Sequence, residues 1–227
     1  MDASFYSPAE GTATEQAESD RVYGALTQAG RELSLAQLQT RVDLAEAAAV
    51  TEEIRRLTER LTGKIKPGAF GTEVGANEAI RNFGNSVVGL RNPFAAMRDE
   101  AKIVWNDNGA SASFHLNALY EGPPGLVHGG VSALILDQLL GEAAAAGGGA
   151  GMTGRLTLHY RRPTPLGDLS MEAWVESLEG IKTVVKGHIK DAEGNVTVEA
   201  EGLFIMPRWA RELLAEEEAK KKRPNFE

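Results

Sequence analysis

The residue types best suited to chemistry lie close together. Glu121-Gly122-Pro123-Pro124-Gly125-Leu126-Val127-His128-Gly129-Gly130 runs directly into an Ala/Leu/Ile-rich stretch holding one aspartate, Asp137. Two glycines at a helix entrance leave backbone N–H groups accessible, and with the positive end of the helix dipole these can hold a developing oxyanion. A Gly-Gly pair also suits a plain tight turn. The helical neighbours of Asp137 three and four positions away are Ala133, Leu134, Leu140 and Gly141, whereas Gln138 and Glu142 fall on another stripe. A carboxylate on an apolar face is costly, so it has either a structural partner or a retained reactivity. Apolar surroundings disfavour the charged form of such a group, which moves it towards use as a base near neutral pH.

Thr153 opens the strand pattern that follows. Alternation groups it with Arg155, Thr157, His159 and Arg161, opposite Leu156, Leu158 and Tyr160. A hydroxyl there could orient a water or a carboxylate, although threonine is an ordinary strand residue. Arg161 and Arg162 close the strand before Pro163, and such a guanidinium pair suits phosphate groups, although surface arginines are common.

Other chemistries are poorly supported. The chain has no cysteine, which removes disulfides, thiolate metal sites and cysteine nucleophiles. Its four histidines, at 115, 128, 159 and 188, lack ligand spacing, so no metal is expected. Gly149 to Gly154 has the spacing of a dinucleotide fingerprint, but it follows a helix and opens a strand, the reverse of what that motif requires. No Gly-x-Ser-x-Gly elbow is present. A formal net charge of -8 argues against a nucleic-acid partner. There is no secretory leader pattern and no apolar run of about 20 residues, so a cytoplasmic protein without a membrane span is expected.

The elements that must hold these residues form an α+β pattern. Residues 1–20, rich in Ser, Thr, Glu, Gly and Ala, read as a disordered tail. Residues 21–91 read as a helical extension. Within it Leu35, Leu38, Val42, Ala45, Ala49, Ile54, Leu57 and Leu61 predict one long amphipathic helix, started by Ser34 with Gln37 and stopped by Gly63. Such a stripe suits an oligomer contact, a flap over a substrate or packing on its own domain. Residues 64–100, broken by glycines, read as short helices and loops.

A third region, 92–208, carries the site. Ala101–Trp105 and Ala110–Asn117 flank the hairpin turn Asn106-Asp107-Asn108-Gly109. A buried helix spans Val131–Ala146, and strands follow at about 152–162, 168–179, 181–191 and 196–206. Pro207 starts a C-terminal helix with a basic tail over 209–227.

The stretch from Glu121 to Gly130, the helix with Asp137, and the strand with Leu156, Tyr160, Arg162, Pro163, Pro165 and Leu166 resemble the PaaI-like acyl-CoA thioesterases of the hot-dog superfamily, over roughly residues 92–206. The resemblance implies an antiparallel sheet wrapped around a central α-helix, a homodimer or dimer of dimers, and active sites at the subunit interface. It implies Asp137 as base or nucleophile and the Gly129 N–H as the group that polarises the thioester carbonyl. His128 stands beside that amide, and Thr153 positions the attacking water, a hydroxyl that related members take from the neighbouring subunit. Gly130 and Leu134 line the substrate pocket, and Arg161 and Arg162 meet the CoA phosphates. The substrate is an acyl-CoA, no cofactor is needed, and the setting is fatty acid metabolism.

One position departs from the pattern. Many such enzymes carry an Asn upstream of the His-Gly-Gly where this chain has Glu121-Gly122-Pro123-Pro124, which shifts water activation towards Thr153 and leaves direct attack by Asp137 open. Two further readings stand beside hydrolysis. One is a non-catalytic acyl-CoA-binding or scaffold protein of the same fold; the other is a hot-dog dehydratase, which needs a paired His and acid on a different segment.

Overall fold

A computed structural model of the chain describes residues 6–66, 68, 70–77, 80–97 and 103–212. The chain divides into two compact units, Met1–Ala95 and Ala96–Glu227.

The first unit holds β1 (Tyr6–Pro8), α1 (Ala13–Gln39), α2 (Leu44–Thr62), β2 (Thr72–Val74) and β3 (Ile80–Arg81). The strands form a small sheet in the order β1-β2-β3, parallel between the first two and antiparallel between the last two. Two expectations are corrected here. Residues 13–20, expected in a disordered tail, begin α1 behind a capping box: the Thr12 hydroxyl accepts the Glu15 N–H and the Glu15 carboxylate accepts the Thr12 N–H at 2.8 Å. The single long helix is in fact two helices. Ser34 lies inside α1 with its hydroxyl donating to the Gly30 carbonyl, Thr40 turns to extended backbone, and Asp43 caps α2 by accepting the Glu46 N–H at 2.9 Å. Gly63 does end α2. Within 64–100 the described residues add short strands and turns rather than short helices.

α1 is held by polar contacts uncommon for a surface helix. The buried Gln16 amide donates to the carbonyls of Ala9, Glu10 and Gly11 and accepts the Ala76 N–H at 3.1 Å. The Arg91 guanidinium lies 3.6 Å from the centre of the Tyr23 ring, and Arg81 pairs with Asp20.

The second unit holds β4 (Val104–Asn106), β5 (Gly109–Leu116), a 3-10 turn (Ala118–Tyr120), α3 (Gly129–Ala146), β6 (Met152–Tyr160), β7 (Gly167–Glu179), β8 (Lys182–Lys190) and β9 (Val196–Ile205). Residues 208–212 are helical; the rest of the expected C-terminal helix, like residues 101–102 of the first expected strand, lies outside the described residues. The six strands form one antiparallel sheet in the order β4-β5-β7-β8-β9-β6, and α3 touches every one of them. This is the sheet around a central helix that the resemblance implies. The Asn106–Gly109 turn closes the first hairpin, with Asn106 paired to Gly109.

The sheet keeps its two faces apart by alternation, interrupted at bulges in β6 and β7. Inward residues such as Phe114, Leu116, Leu169, Met171, Val185, Ile189, Val198 and Phe204 are buried with Ile135, Leu136, Leu139 and Leu140 of α3. Leu140 is seated where two strands lack side chains: a Cβ on Gly187 or on Gly202 would come within 3.0 Å of its methyl groups. Full burial of such a leucine contributes about 1.5–3 kcal/mol. The opposite face is laced by cross-strand ion pairs, among them Arg161–Glu199 at 2.8 Å, Lys186–Glu176 at 2.9 Å and Lys190–Glu172 at 3.1 Å. Lys190 donating to Glu172 holds that carboxyl below its usual range, and burial holds His188 beside it below the usual histidine range. Among the described residues no helix is long and apolar enough to cross a membrane.

Candidate functional site

The site grows from the turn that launches α3. Gly122 and Gly125 let residues 121–127 fold back on themselves. A Cβ on Gly122 would stand 2.8 Å from the His128 Cα, and Gly125 has φ +76°. The Glu121 carboxylate accepts the Gly125 N–H at 2.7 Å and so helps to close the turn. The turn is then tied to the segment after β6, with the Val127 N–H donating to the Thr164 carbonyl and the Leu166 N–H to that of Gly125. The two halves of the sequence signature thus meet: the Pro163-Thr164-Pro165-Leu166 stretch is the rail on which the His-Gly-Gly turn lies.

His128 caps α3. Its Nδ1 accepts the Gly130 N–H at 3.1 Å, which puts the ring proton on Nε2. Gly130 therefore has its amide occupied. Gly129, the first helical residue, has an N–H with no acceptor among the described residues, at the positive end of the helix. Its carbonyl accepts the Tyr160 hydroxyl at 2.8 Å, and a Cβ at this position would meet that hydroxyl at 3.3 Å. Tyr160 is a residue to which the sequence reading gave no role; its place on the inward face of β6, with Leu156 and Leu158, was the available signal.

Asp137 is half-buried, and it lies beside the fully buried stripe of α3 rather than in it. Its stripe includes half-buried Ala133 and Gly141 and exposed Leu134, and it runs along the side of the helix nearest β6. There Asp137 meets Thr153, whose hydroxyl donates to the Asp137 Oδ1 at 2.9 Å. The face expected for Thr153 is corrected. A bulge between Thr153 and Arg155 puts Thr153 opposite inward-facing Phe204 while Arg155 stays opposite Leu203. Thr153 consequently shares a face with Leu156, Leu158 and Tyr160, not with Arg155, Thr157, His159 and Arg161. Asp137 is in no ion pair among the described residues.

The structure brings together Asp137 with Thr153, and His128 with Gly129 and Gly130. It does not bring the two groups together in one chain, because eight residues of helix separate the Gly129 amide from Asp137 by about 12 Å along the axis. Arg161 is engaged with Glu199 at the outer face, while the Arg162 guanidinium makes no ion pair among the described residues. The His–acid pairs that a dehydratase would need, His115–Asp168 at 2.7 Å and His188–Glu172 at 3.2 Å, both lie on the face of the sheet away from α3. Among the described residues no cluster of His, Asp or Glu is arranged to hold a metal ion.

Known proteins resemble the chain over the same region. A family model described as thioesterase superfamily matches residues 124–198, a span that includes every candidate site residue named above from His128 to Arg162. A solved crystal structure of a thioesterase superfamily protein is 34% identical, with a TM-score of 0.71, covering 88% of this chain and 94% of the other. The chain belongs to the thioesterase superfamily. The likeness exceeds what the hot-dog unit alone could supply, so it reaches into the first unit, which lay outside the sequence resemblance. Among curated proteins, acyl-coenzyme A thioesterase THEM4 of Xenopus laevis is 38% identical over 87 residues, 37% of this chain and 39% of that protein. The Bos taurus protein of the same name is 37% identical over 87 residues, covering 37% and 35%. The chain spans less than half the length of these curated relatives.

Proposed function

We propose that this chain hydrolyses acyl-CoA thioesters to a free acid and CoA. The observation that carries the reading is the Thr153 hydroxyl donating to the half-buried Asp137 carboxylate, on a flank of α3 that stays open beside an edge strand. A carboxylate so held keeps a lone pair for a water proton or for the thioester carbon. In the first case water adds to the carbonyl carbon, its proton passes to Asp137, and the C–S bond breaks to release CoA, whose sulfur takes the proton. In the second, Asp137 adds directly, CoA leaves, and water cleaves the resulting anhydride. Both routes place negative charge on the carbonyl oxygen, which the free Gly129 amide is suited to hold. No metal or further cofactor enters either route.

The 12 Å separation along α3 means that one carbonyl cannot touch both the Gly129 amide and Asp137 of the same chain. The reading therefore includes a homodimer, alone or as a dimer of dimers, in which Gly129 of one copy serves Asp137 and Thr153 of the other. The resemblance suggested that the hydroxyl crosses over; with Thr153 bound to Asp137 of its own chain, it is the amide that crosses. An interface is available at β6, a nine-residue edge strand, with Met152 56% exposed and Tyr160 57% exposed. A bare edge of that length is normally paired or covered. Gly130 and Leu134 then border the acyl group, and Arg162, more freely than Arg161, meets the CoA phosphates. The reading also includes a cytoplasmic location, in keeping with a chain free of cysteine.

A second reading, an acyl-CoA-binding protein without turnover, is motivated by the absence of the Asn that many such enzymes carry upstream of the His-Gly-Gly, where Glu121 instead accepts the Gly125 N–H. One assay separates the two. A panel of short, long and aryl acyl-CoA thioesters, followed by a thiol-reactive dye, is expected to show CoA release well above the uncatalysed rate for at least one acyl class. Tight binding across the panel with no thiol release would replace hydrolysis by the second reading.

A further inference from the structure

Among the described residues nothing buries the apolar face of α2. None of its residues is buried, and Leu57 and Leu61 are 49% and 57% exposed. Ala47, Val50, Ile54, Leu57 and Leu61 recur at alternating steps of three and four, which is the a/d seam of a heptad repeat. In that frame Glu46, Glu53 and Arg60 occupy the g positions beside the seam, and Thr51 and Thr58 the e positions. Among the described residues neither Glu53 nor Arg60 is in an ion pair, whereas the neighbouring Arg55 is paired with Glu52.

We propose that α2 is a self-association helix that pairs antiparallel with α2 of a second copy of the chain. The charges select both the partner and the direction. With Ile54 set against Leu57 of the second copy, Val50 meets Leu61, and the two g positions face each other, so Glu53 stands opposite Arg60 of the second copy. A two-fold axis repeats each contact, giving two opposite-charge pairs flanking four apolar layers. A parallel pair in register sets g against e, placing Glu53 and Glu46 against Thr58 and Thr51 and forming no ion pair. The seam is a little over two heptads long and is weak by itself, so it adds to an assembly rather than founding one. It is independent of the hot-dog interface proposed above and of the chemistry of Asp137.

The absence of native cysteine makes the register directly measurable in the full-length protein. The e positions likewise face each other in this arrangement, so the chain carrying both Thr51→Cys and Thr58→Cys, with Glu53 and Arg60 kept, is expected on treatment with a short bis-maleimide to give a cross-linked dimer whose joined peptides contain positions 51 and 58. Either single-cysteine variant is expected to cross-link at least several-fold less. Adding Ile54→Asp and Leu57→Asp to the double-cysteine chain should abolish the product, and since neither side chain is buried the fold should survive, as circular dichroism would report. A dimer cross-linked through the pair Glu53→Cys and Thr58→Cys, with none through positions 51 and 58, would mean parallel pairing. No cross-linked dimer from either double variant would mean that the seam is covered by another part of the chain or by nothing. Either result overturns the proposal, whether or not the protein cleaves thioesters.

Discussion

Asp137→Ala is expected to lower kcat/KM for the preferred acyl-CoA by at least about a hundredfold, with KM changed little. General acid–base catalysis typically contributes two to four orders of magnitude, and a lost nucleophile costs no less. Steady-state thiol release measures it. The isosteric Asp137→Asn variant makes the test specific. An amide oxygen still accepts the Thr153 hydroxyl that donates to Asp137 at 2.9 Å, so the local packing and hydrogen bond are kept. It cannot take a proton from water or attack the thioester. A rate as low as that of the alanine variant assigns chemistry to the carboxylate; near wild-type activity in the asparagine variant would reduce Asp137 to a support for Thr153.

Gly129→Pro is expected to cost about 10²–10³ in kcat, the usual effect of removing one oxyanion donor. Proline deletes the one N–H in question and little else. Gly129 is the first residue of α3, where proline is favoured because the missing N–H has no helical acceptor. His128 before it has φ -62° and ψ 131°, the backbone region that a residue preceding proline prefers. The added side chain would crowd Tyr160, to which a Cβ would stand at 3.3 Å. Gly129→Ala controls for this, because it adds the same Cβ and keeps the amide. An alanine variant as slow as the proline variant would assign the loss to displaced Tyr160 and not to the amide.

Much of the architecture was legible in the residues, and the failures have physical causes. The inner strands of the second unit were readable because one face of each is buried and the other faces water, so in β7 Leu169, Met171 and Ala173 alternate with Ser170, Glu172 and Trp174. The hairpin at Asn106–Gly109 announced itself through residues that tolerate tight turns. The break between α1 and α2 was hidden because Thr40-Arg41-Val42-Asp43 contains neither glycine nor proline, and only the capping by Asp43 marks it. The start of α1 looked disordered by composition, although Thr12 and Glu15 formed a readable capping box.

In the site, Asp137, Thr153 and Gly129 were all named from sequence, but their relations were not. Alternation cannot see a bulge, so the face of Thr153 came out reversed until the pairing with Phe204 was known. Likewise, the residues alone did not separate the two glycines after His128, although the resemblance gave the amide role to Gly129. The physical reason lies in the ring of His128, which accepts from Gly130 and leaves the Gly129 N–H available.

The central claim is that Asp137 of one copy acts on a carbonyl held by Gly129 of another, and subunit complementation tests it most directly. Chains carrying Asp137→Ala and Gly129→Pro, each with its own affinity tag, are co-expressed and the mixed dimer is purified through both tags. Each homodimer should be nearly inactive, whereas the mixed dimer holds one fully wild-type site of its two and should regain about half of the wild-type rate. A mixed dimer no more active than its parents would contradict the account.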